Sequence, residues 1–556
     1  MLAAANGIAL LIPWLLKLAV ESLEKPAASA HAPGYYGLAI IAAAAAHGVV
    51  RIFSRTTLLH AGRRIEYRIR QDLYARLISL DLPYFSGERT GDILSRFSND
   101  LTNVRMLVGF GILNVVNTII VYASALSLMG RIDPVLTMCA VIPYPLMILL
   151  VKKVSRRIFH HSKRAQEELA ALTSHAEETF AATAVVKAYR QEESRLASFN
   201  ELSGRYLASS MRMTSLRGIV IPFMASVAGL GMLIVLFVGG GRVINGAMTL
   251  GDFVAFNSYL AMLIWPTVVL GWILNLVQRG AASMGRLNAV LDAKATVVDS
   301  ASPIVPEDLC GEIEIRGLSF GYHGEPLLKN ISLRIKAGMR LGIVGPVGCG
   351  KTTLVRLLAR LYPVADGMIF LDGTDINHLP LKLLRNAIGF VPQESFLFSR
   401  TIGENIAYGR EGATDEEVRE AARMSRLDGD VCGFPSGYDT TVGERGVTLS
   451  GGQKQRTAIA RALLKDPAVL IMDDPLSAVD ARTEEEILGG LAQYYGRRTV
   501  LLVSHRLSAL RGCDLIVILD EGRIAEQGTH DELLALNGRY AAIHREQNLR
   551  DEIERL

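Results

Sequence analysis

At 556 residues the chain is too long for a single hydrophobic core and calls for two or more domains. Half of it is hydrophobic and mean hydropathy is +0.27, which excludes a disordered or purely solvating chain. A net charge of +4 is a weak signal, with the basic residues in loops beside apolar runs rather than in the single stripe of a nucleic-acid-binding protein, and no nucleic-acid partner is expected. Cys139, Cys310, Cys349, Cys432 and Cys513 lack metal-ligand spacing and read as free thiols.

The apolar residues concentrate before residue 280, and six runs there are long enough to cross a bilayer. They lie near 2–20, 34–53, 107–128, 132–151, 218–240 and 253–277. The run Leu2–Val20 reads as a span rather than a secretory signal, because no Lys or Arg precedes it, Lys17 and Glu21 interrupt its end, and more spans follow. Its opening at Met1 reads as a late start or a missing amphipathic entry segment. Arg63, Arg64, Arg68, Arg70, Arg76, Arg89, Arg96 and Arg105 crowd one connection, and Lys152, Lys153, Arg156 and Arg157 open another, whereas 23–33 carries only Lys25. The excess of positive charge places both long loops and both termini in the cytoplasm.

Helical periodicity continues through those loops, so the spans are expected to extend as intracellular stalks. Pro13, Pro143, Pro145, Pro222 and Pro266 suit bends in packed membrane helices. Asn114, Asn117 and Asn275 read as interhelical hydrogen-bonding groups before cavity groups, and the lone His47 gives a proton relay little support. Breaks in the stalks are expected at Gly87–Asp92 and at Ser174–Phe180. Residues 292–310 lose periodicity and collect Ser300, Ser302, Pro303 and Pro306, which marks a linker between a membrane domain over 1–291 and a soluble α/β domain over 311–556.

In the soluble half, Gly345, Pro346, Val347, Gly348, Cys349, Gly350, Lys351, Thr352 and Thr353 fit G-x-x-x-x-G-K-[ST]. The glycines let backbone N–H groups wrap phosphate oxygens, Lys351 reaches the terminal phosphates, and Thr352 offers a hydroxyl to Mg²⁺. A strand over Leu341–Val344 feeds the loop and a helix over Leu354–Leu361 leaves it. Tyr322, past the alternating stretch Glu312–Phe320, reads as an aromatic that packs in the core or stacks on adenine. Gln393, after the strand Ile388–Val391, offers an amide oxygen to Mg²⁺ or to a water. In LSGGQ, Ser450 caps a helix over Lys454–Leu464, while Gly451, Gly452 and Gln453 form a second phosphate cradle. Asp473 ends the strand Ala468–Met472 as a carboxylate for Mg²⁺, and His505, past the strand Thr499–Val503, is a sensor for the γ-phosphate.

In this order, GPVGCGKTT, LSGGQKQR, VLIMDD, SAVD and LLVSHR behind six spans resemble an ATP-binding cassette exporter half-transporter of the multidrug type. The resemblance covers nearly the whole chain. It implies an all-helical membrane domain followed by a P-loop α/β domain, ATP and Mg²⁺, the cytoplasmic membrane, and a small amphipathic cargo. It also implies a second half-transporter chain whose ATP sites pair Lys351 of one subunit with Ser450–Gln453 of the other. The two stalk breaks would serve as coupling helices, touched by Glu444 and Arg445 across the dimer. One position departs from the pattern: Asp474 stands where competent members carry Glu. Loss of a positioned base costs about 10²–10⁴ in rate, so the site is expected to hold ATP and turn it over slowly. The pattern then resembles the degenerate subunit of heterodimeric bacterial exporters, with a homodimeric lipid flippase and an ATP-gated channel as the alternatives.

Overall fold

The computed structural model describes residues 1–24, 32–322, 324–443, 449–476, 479, 481–490 and 498–555. The segment holding Glu444 and Arg445, and Ser477, Ala478 and Asp480 of SAVD, lie outside the described residues. The chain divides into two units, Met1–Ile78 with Arg89–Ala293, and Ser79–Glu88 with Lys294–Leu556.

The first unit is all helix. Four helices are long and apolar enough to cross a membrane among the described residues: Leu2–Glu24, Pro33–Ser79, Thr90–Ile132 and Leu250–Leu291. The runs 132–151 and 218–240 fall in further long helices, Pro134–Val141 continued by Pro143–Ala181, and Glu192–Ile234 continued to Ile244. Asp133 starts one of them, its carboxylate accepting from Leu136 N at 2.9 Å with Pro134 in the first turn. Small residues set the closest approaches: a Cβ on Gly62 would meet Gly109 Cα at 3.2 Å, and one on Gly251 would meet Lys17 O at 2.8 Å. Asn6 donates to Asn117 at 3.0 Å between two helices, as expected, whereas Asn114 donates at 2.7 Å to Phe110 O one turn back in its own helix. Toward the stalks, the buried Glu66 meets Arg63, Arg70 and Arg105, and the buried Asp100 accepts from Arg286 and Ser283.

One stalk break stands and one moves. The helix Leu82–Gly87 ends before Glu88 and Arg89, and a new helix begins at Thr90, which places the discontinuity within GERTGD. By contrast Ser174–Phe180 is continuous helix, because Pro143–Ala181 runs through it with Thr179 Oγ1 bonded to His175 O at 2.7 Å. The turn there comes later, around Ala182 and at Tyr189–Gln191, where Arg190 has φ 50°.

The second unit holds two sheets. Ten strands follow in order among the described residues: β1 Ile313–Phe320, β2 Leu328–Ile335, β3 Arg340–Val344, β4 Ile369–Leu371, β5 Thr374–Asp375, β6 Ile388–Val391, β7 Val469–Asp473, β8 Thr499–Val503, β9 Leu515–Asp520 and β10 Arg523–Gly528. An antiparallel sheet runs β2-β1-β4-β5, and a second runs β10-β9-β3-β8-β7-β6 with only β10 antiparallel to its neighbour. The period of two sorts the parallel strands between two cores. Ile471, Leu501 and Val503 face the layer shared with β1, β2 and helix Lys351–Leu358, while Leu470, Met472, Val500 and Leu502 face helix Gly451–Leu464 and Tyr540. A third cluster around Ile402, Ile406, Val418, Leu427 and Leu449 carries the approach to LSGGQ. The stretch 292–310 contains no helix or strand and is bonded into this unit: Asp81 accepts from Thr296 and Val297, and the buried Arg360 donates to Val298 O at 2.7 Å.

Candidate active site

Four of the predicted groups stand past the carboxyl ends of parallel strands, the edge at which such sheets bind ligands. The glycine loop follows β3, Gln393 follows β6, Asp473 and Asp474 close β7, and His505 follows β8. Since β8 and β7 lie between β3 and β6, the sheet order lines these groups along one rim.

In the loop, three glycines are required by the backbone. Gly345, Gly348 and Gly350 have φ of 159°, 84° and 102°, and a Cβ on Gly345 would stand 2.1 Å from Leu519 O. The helix begins at Lys351, three residues before the expected Leu354, because the left-handed Gly350 serves as its N-cap. It ends at Leu358 rather than Leu361, where Arg360 turns to φ 49°. Its free N–H groups and dipole point into the loop, as an anion requires. Lys351 Nζ is buried and donates to Gly345 O at 2.8 Å and Pro346 O at 2.9 Å, which holds its charge across the loop mouth. Pro346 and Val347 form the outer lip, with Val347 90 % exposed. Cys349 is buried beneath the loop, so its backbone and not its thiol faces a ligand. Thr353 is also turned inward, its hydroxyl 3.2 Å from that of Tyr322.

The Tyr322 ring meets Phe320 and Tyr362 edge to face at 5.2 and 5.3 Å and stays 36 % exposed. Tyr362, which sequence reading passed over, also brings its hydroxyl to 3.4 Å from Ser86 Oγ in helix Leu82–Gly87. Gln393 is exposed beyond β6.

Thr352 Oγ1 donates to Asp473 Oδ1 at 3.1 Å. Asp473 is only 1 % exposed, its Oδ2 is buried without a hydrogen-bond partner, and burial pushes its carboxyl pKa up. A hydroxyl beside a buried carboxylate with an unmet oxygen fits a hard divalent cation, and Mg²⁺ there supplies charge neutralisation for a bound polyphosphate. Asp474 follows at φ 48°, its N–H fixed to Val503 O at 2.9 Å, which locks the direction its short side chain leaves the backbone. Two further residues, Glu484 and Arg506, belong to the site although the sequence did not single them out. Glu484 is buried, receives Arg506 Nη1 at 2.7 Å, and has its pKa pushed up by burial against the lowering effect of Arg506. Arg506 also donates to Val479 O at 3.0 Å. Its place beside His505 in SHR was the available signal.

The LSGGQ helix spans Gly451–Leu464, starting three residues before the expected Lys454. Ser450 and Gln453 explain the shift through a capping box: Gln453 N donates to Ser450 Oγ at 3.3 Å and Ser450 N to Gln453 Oε1 at 3.0 Å. Gly451 and Gly452 therefore form the first turn, Gly451 exposed and Gly452 half-buried.

Two cradles, a buried cation seat and an all-helical membrane unit define an ATP-driven membrane transporter. The family profile for the ABC transporter transmembrane region matches residues 1–267, and the ABC transporter profile matches 328–477. The chain is 38 % identical to the probable multidrug resistance ABC transporter ATP-binding/permease protein YheI of Bacillus subtilis, across 99 % of this chain and 94 % of that one. It is 34 % identical to the ATP-dependent lipid A-core flippase of Syntrophus aciditrophicus, across 99 % and 93 %. A solved structure of a bacterial Atm1-family ABC exporter with ATP bound superposes with a TM-score of 0.82 at 30 % identity, covering 98 % of this chain and 96 % of that one. The chain belongs to the ABC transporter family, as a half-transporter joining a membrane domain to an ATP-binding domain. It is a multi-pass membrane ATPase that couples Mg²⁺-dependent ATP use to transport, with its nucleotide-binding domain in the cytoplasm.

Proposed function

We propose that this chain is one subunit of a heterodimeric exporter that moves amphipathic compounds out of the cytoplasm or inner leaflet, and that its own ATP site binds nucleotide but hydrolyses it slowly. The carrying observation is Asp474, whose backbone is pinned to Val503 O at φ 48° and whose carboxylate is one methylene short of the family's glutamate. In this reading 1–291 is the membrane domain, 292–310 the linker and 311–556 the nucleotide-binding domain. Lys351 and the loop glycines hold the phosphates, Thr352, Gln393 and Asp473 face Mg²⁺, Tyr322 takes adenine, and His505 contacts the γ-phosphate. Ser450–Gln453 close on the partner's ATP, because the capping box between Ser450 and Gln453 holds the glycine turn at the helix N-terminus, where an anion binds. The helix Leu82–Gly87, bonded through Ser86 to Tyr362, couples nucleotide state to the stalks.

The cargo class rests on the exposed apolar membrane surface, including Trp265, Phe237 and Leu233, and on the multidrug designation of the relatives. A homodimeric flippase, the reading favoured by the lipid A-core relative, requires two competent sites and conflicts with Asp474. Inverted vesicles carrying this chain together with a half-transporter that has the glutamate are expected to accumulate an amphipathic dye upon ATP addition, and vesicles carrying this chain alone are not. Equal uptake by this chain alone would favour the homodimer.

A further inference from the structure

The C-terminal helix Arg539–Arg555 belongs to none of the motifs, yet it sits on the residue that the site reading makes the γ-phosphate sensor. Its start is firmly held. Glu526 accepts from the N–H of Tyr540 at 3.1 Å and from that of Arg539, Tyr540 is fully buried in the sheet core, and its hydroxyl meets His530 Nδ1 at 2.7 Å. Tyr540, Ile543 and Gln547 are spaced three and four residues apart and share one helix face, so burying the tyrosine directs Gln547 at the domain. There Gln547 uses both ends of its amide. Nε2 donates to His505 O at 2.6 Å, and Oε1 accepts from Leu507 N at 3.0 Å.

These bonds grip the backbone on both sides of Arg506. From the other direction the same loop is held by Ser504 Oγ, which accepts from Arg506 N at 3.0 Å, and by the Arg506 guanidinium on Glu484 and Val479 O. The imidazole of His505 carries none of this load and stays exposed. It faces a cavity of about 520 Å³ lined by Gly345 and Pro346 of the phosphate loop, by Arg539 and by Gln547. The helix, the phosphate loop and the histidine thus line one space.

We propose that Gln547 is a positioning residue for His505, so that the C-terminal helix sets how firmly the switch histidine holds bound ATP. This rests on the reading of His505 as the γ-phosphate contact. An amide is required, because at neutral pH no other side chain of this length both donates to a carbonyl and accepts from an N–H. Glutamate keeps only the acceptor, and alanine keeps neither.

The test uses the full-length transporter with its partner chain, loaded with radiolabelled ATP and chased with unlabelled ATP. Gln547→Ala is expected to speed release of label about tenfold, the consequence of losing two ordinary hydrogen bonds. Gln547→Glu is expected to fall between it and the unmodified protein. His505→Ala is expected to release at least as fast as Gln547→Ala, and adding Gln547→Ala to it is expected to change nothing more. Fast release from His505→Ala with unaltered release from Gln547→Ala would overturn the proposal alone. Unaltered release from His505→Ala would overturn the sensor reading and the proposal together. Multiplying effects in the double variant would show that Gln547 acts by loosening the domain, and would also overturn it.

Discussion

In a pair whose partner has been silenced at its own catalytic glutamate, Asp474→Glu is expected to raise steady-state phosphate release by about 10²-fold. A general base must come within about 2.6–3.2 Å of the water it activates. The bond from Asp474 N to Val503 O and the φ of 48° fix where the side chain starts, so reach depends on side-chain length alone. The same backbone explains why an aspartate is comfortable here. Asp tolerates the left-handed region better than most residues through local hydrogen bonding, and a glutamate gives up part of that, at a cost of about 1 kcal/mol. The variant is therefore expected to be slightly less stable and much faster. An unchanged rate would show that groups other than Asp474 disable the site.

The second large effect concerns Asp473. This carboxyl has one oxygen buried and unmet, and burial has raised its pKa. A folded-state pKa above the unfolded value favours folding below the ordinary carboxylate range and loses that contribution as pH rises through the raised value. Asp473→Asn keeps shape and the contact with Thr352 while removing the charge. Without nucleotide the variant is expected to be about 1–3 kcal/mol more stable than the unmodified chain. With Mg²⁺ and ATP the order reverses. Bound nucleotide at a hundredfold excess over Kd stabilises by about 2.7 kcal/mol, and the variant is expected to lose the part that depends on Mg²⁺. Thermal unfolding of the full chain in detergent, with ATP and with or without Mg²⁺, reads both effects. A variant less stable in the absence of nucleotide would mark Asp473 as a structural group.

Much of the site was legible because its residues belong to local patterns. β6 and β8 fall on the expected Ile388–Val391 and Thr499–Val503, since buried parallel strands are short apolar runs ended by polar residues. The helix starts at Lys351 and Gly451 were read three residues late. Each begins inside its glycine motif, one through the left-handed Gly350 and the other through the box between Ser450 and Gln453. The stalk through Ser174–Phe180 is continuous helix although Ser174 looks like a cap former. Thr173 bonds back to Leu169 O at 2.9 Å, as Thr179 does to His175 O, and the helix continues. What no local pattern could show is the long-range pairing. Strand order brings Gln393, Asp473 and His505 to one rim, Tyr362 reaches Ser86, and Gln547 reaches back forty-two residues to His505.

Phosphate release by this chain, purified and reconstituted without any other half-transporter, tests the central claim most directly. Slow turnover that vanadate leaves untouched, alongside retained ATP binding, is the predicted result. Brisk, vanadate-sensitive turnover by the single polypeptide would contradict it, because an aspartate at position 474 would then suffice for hydrolysis.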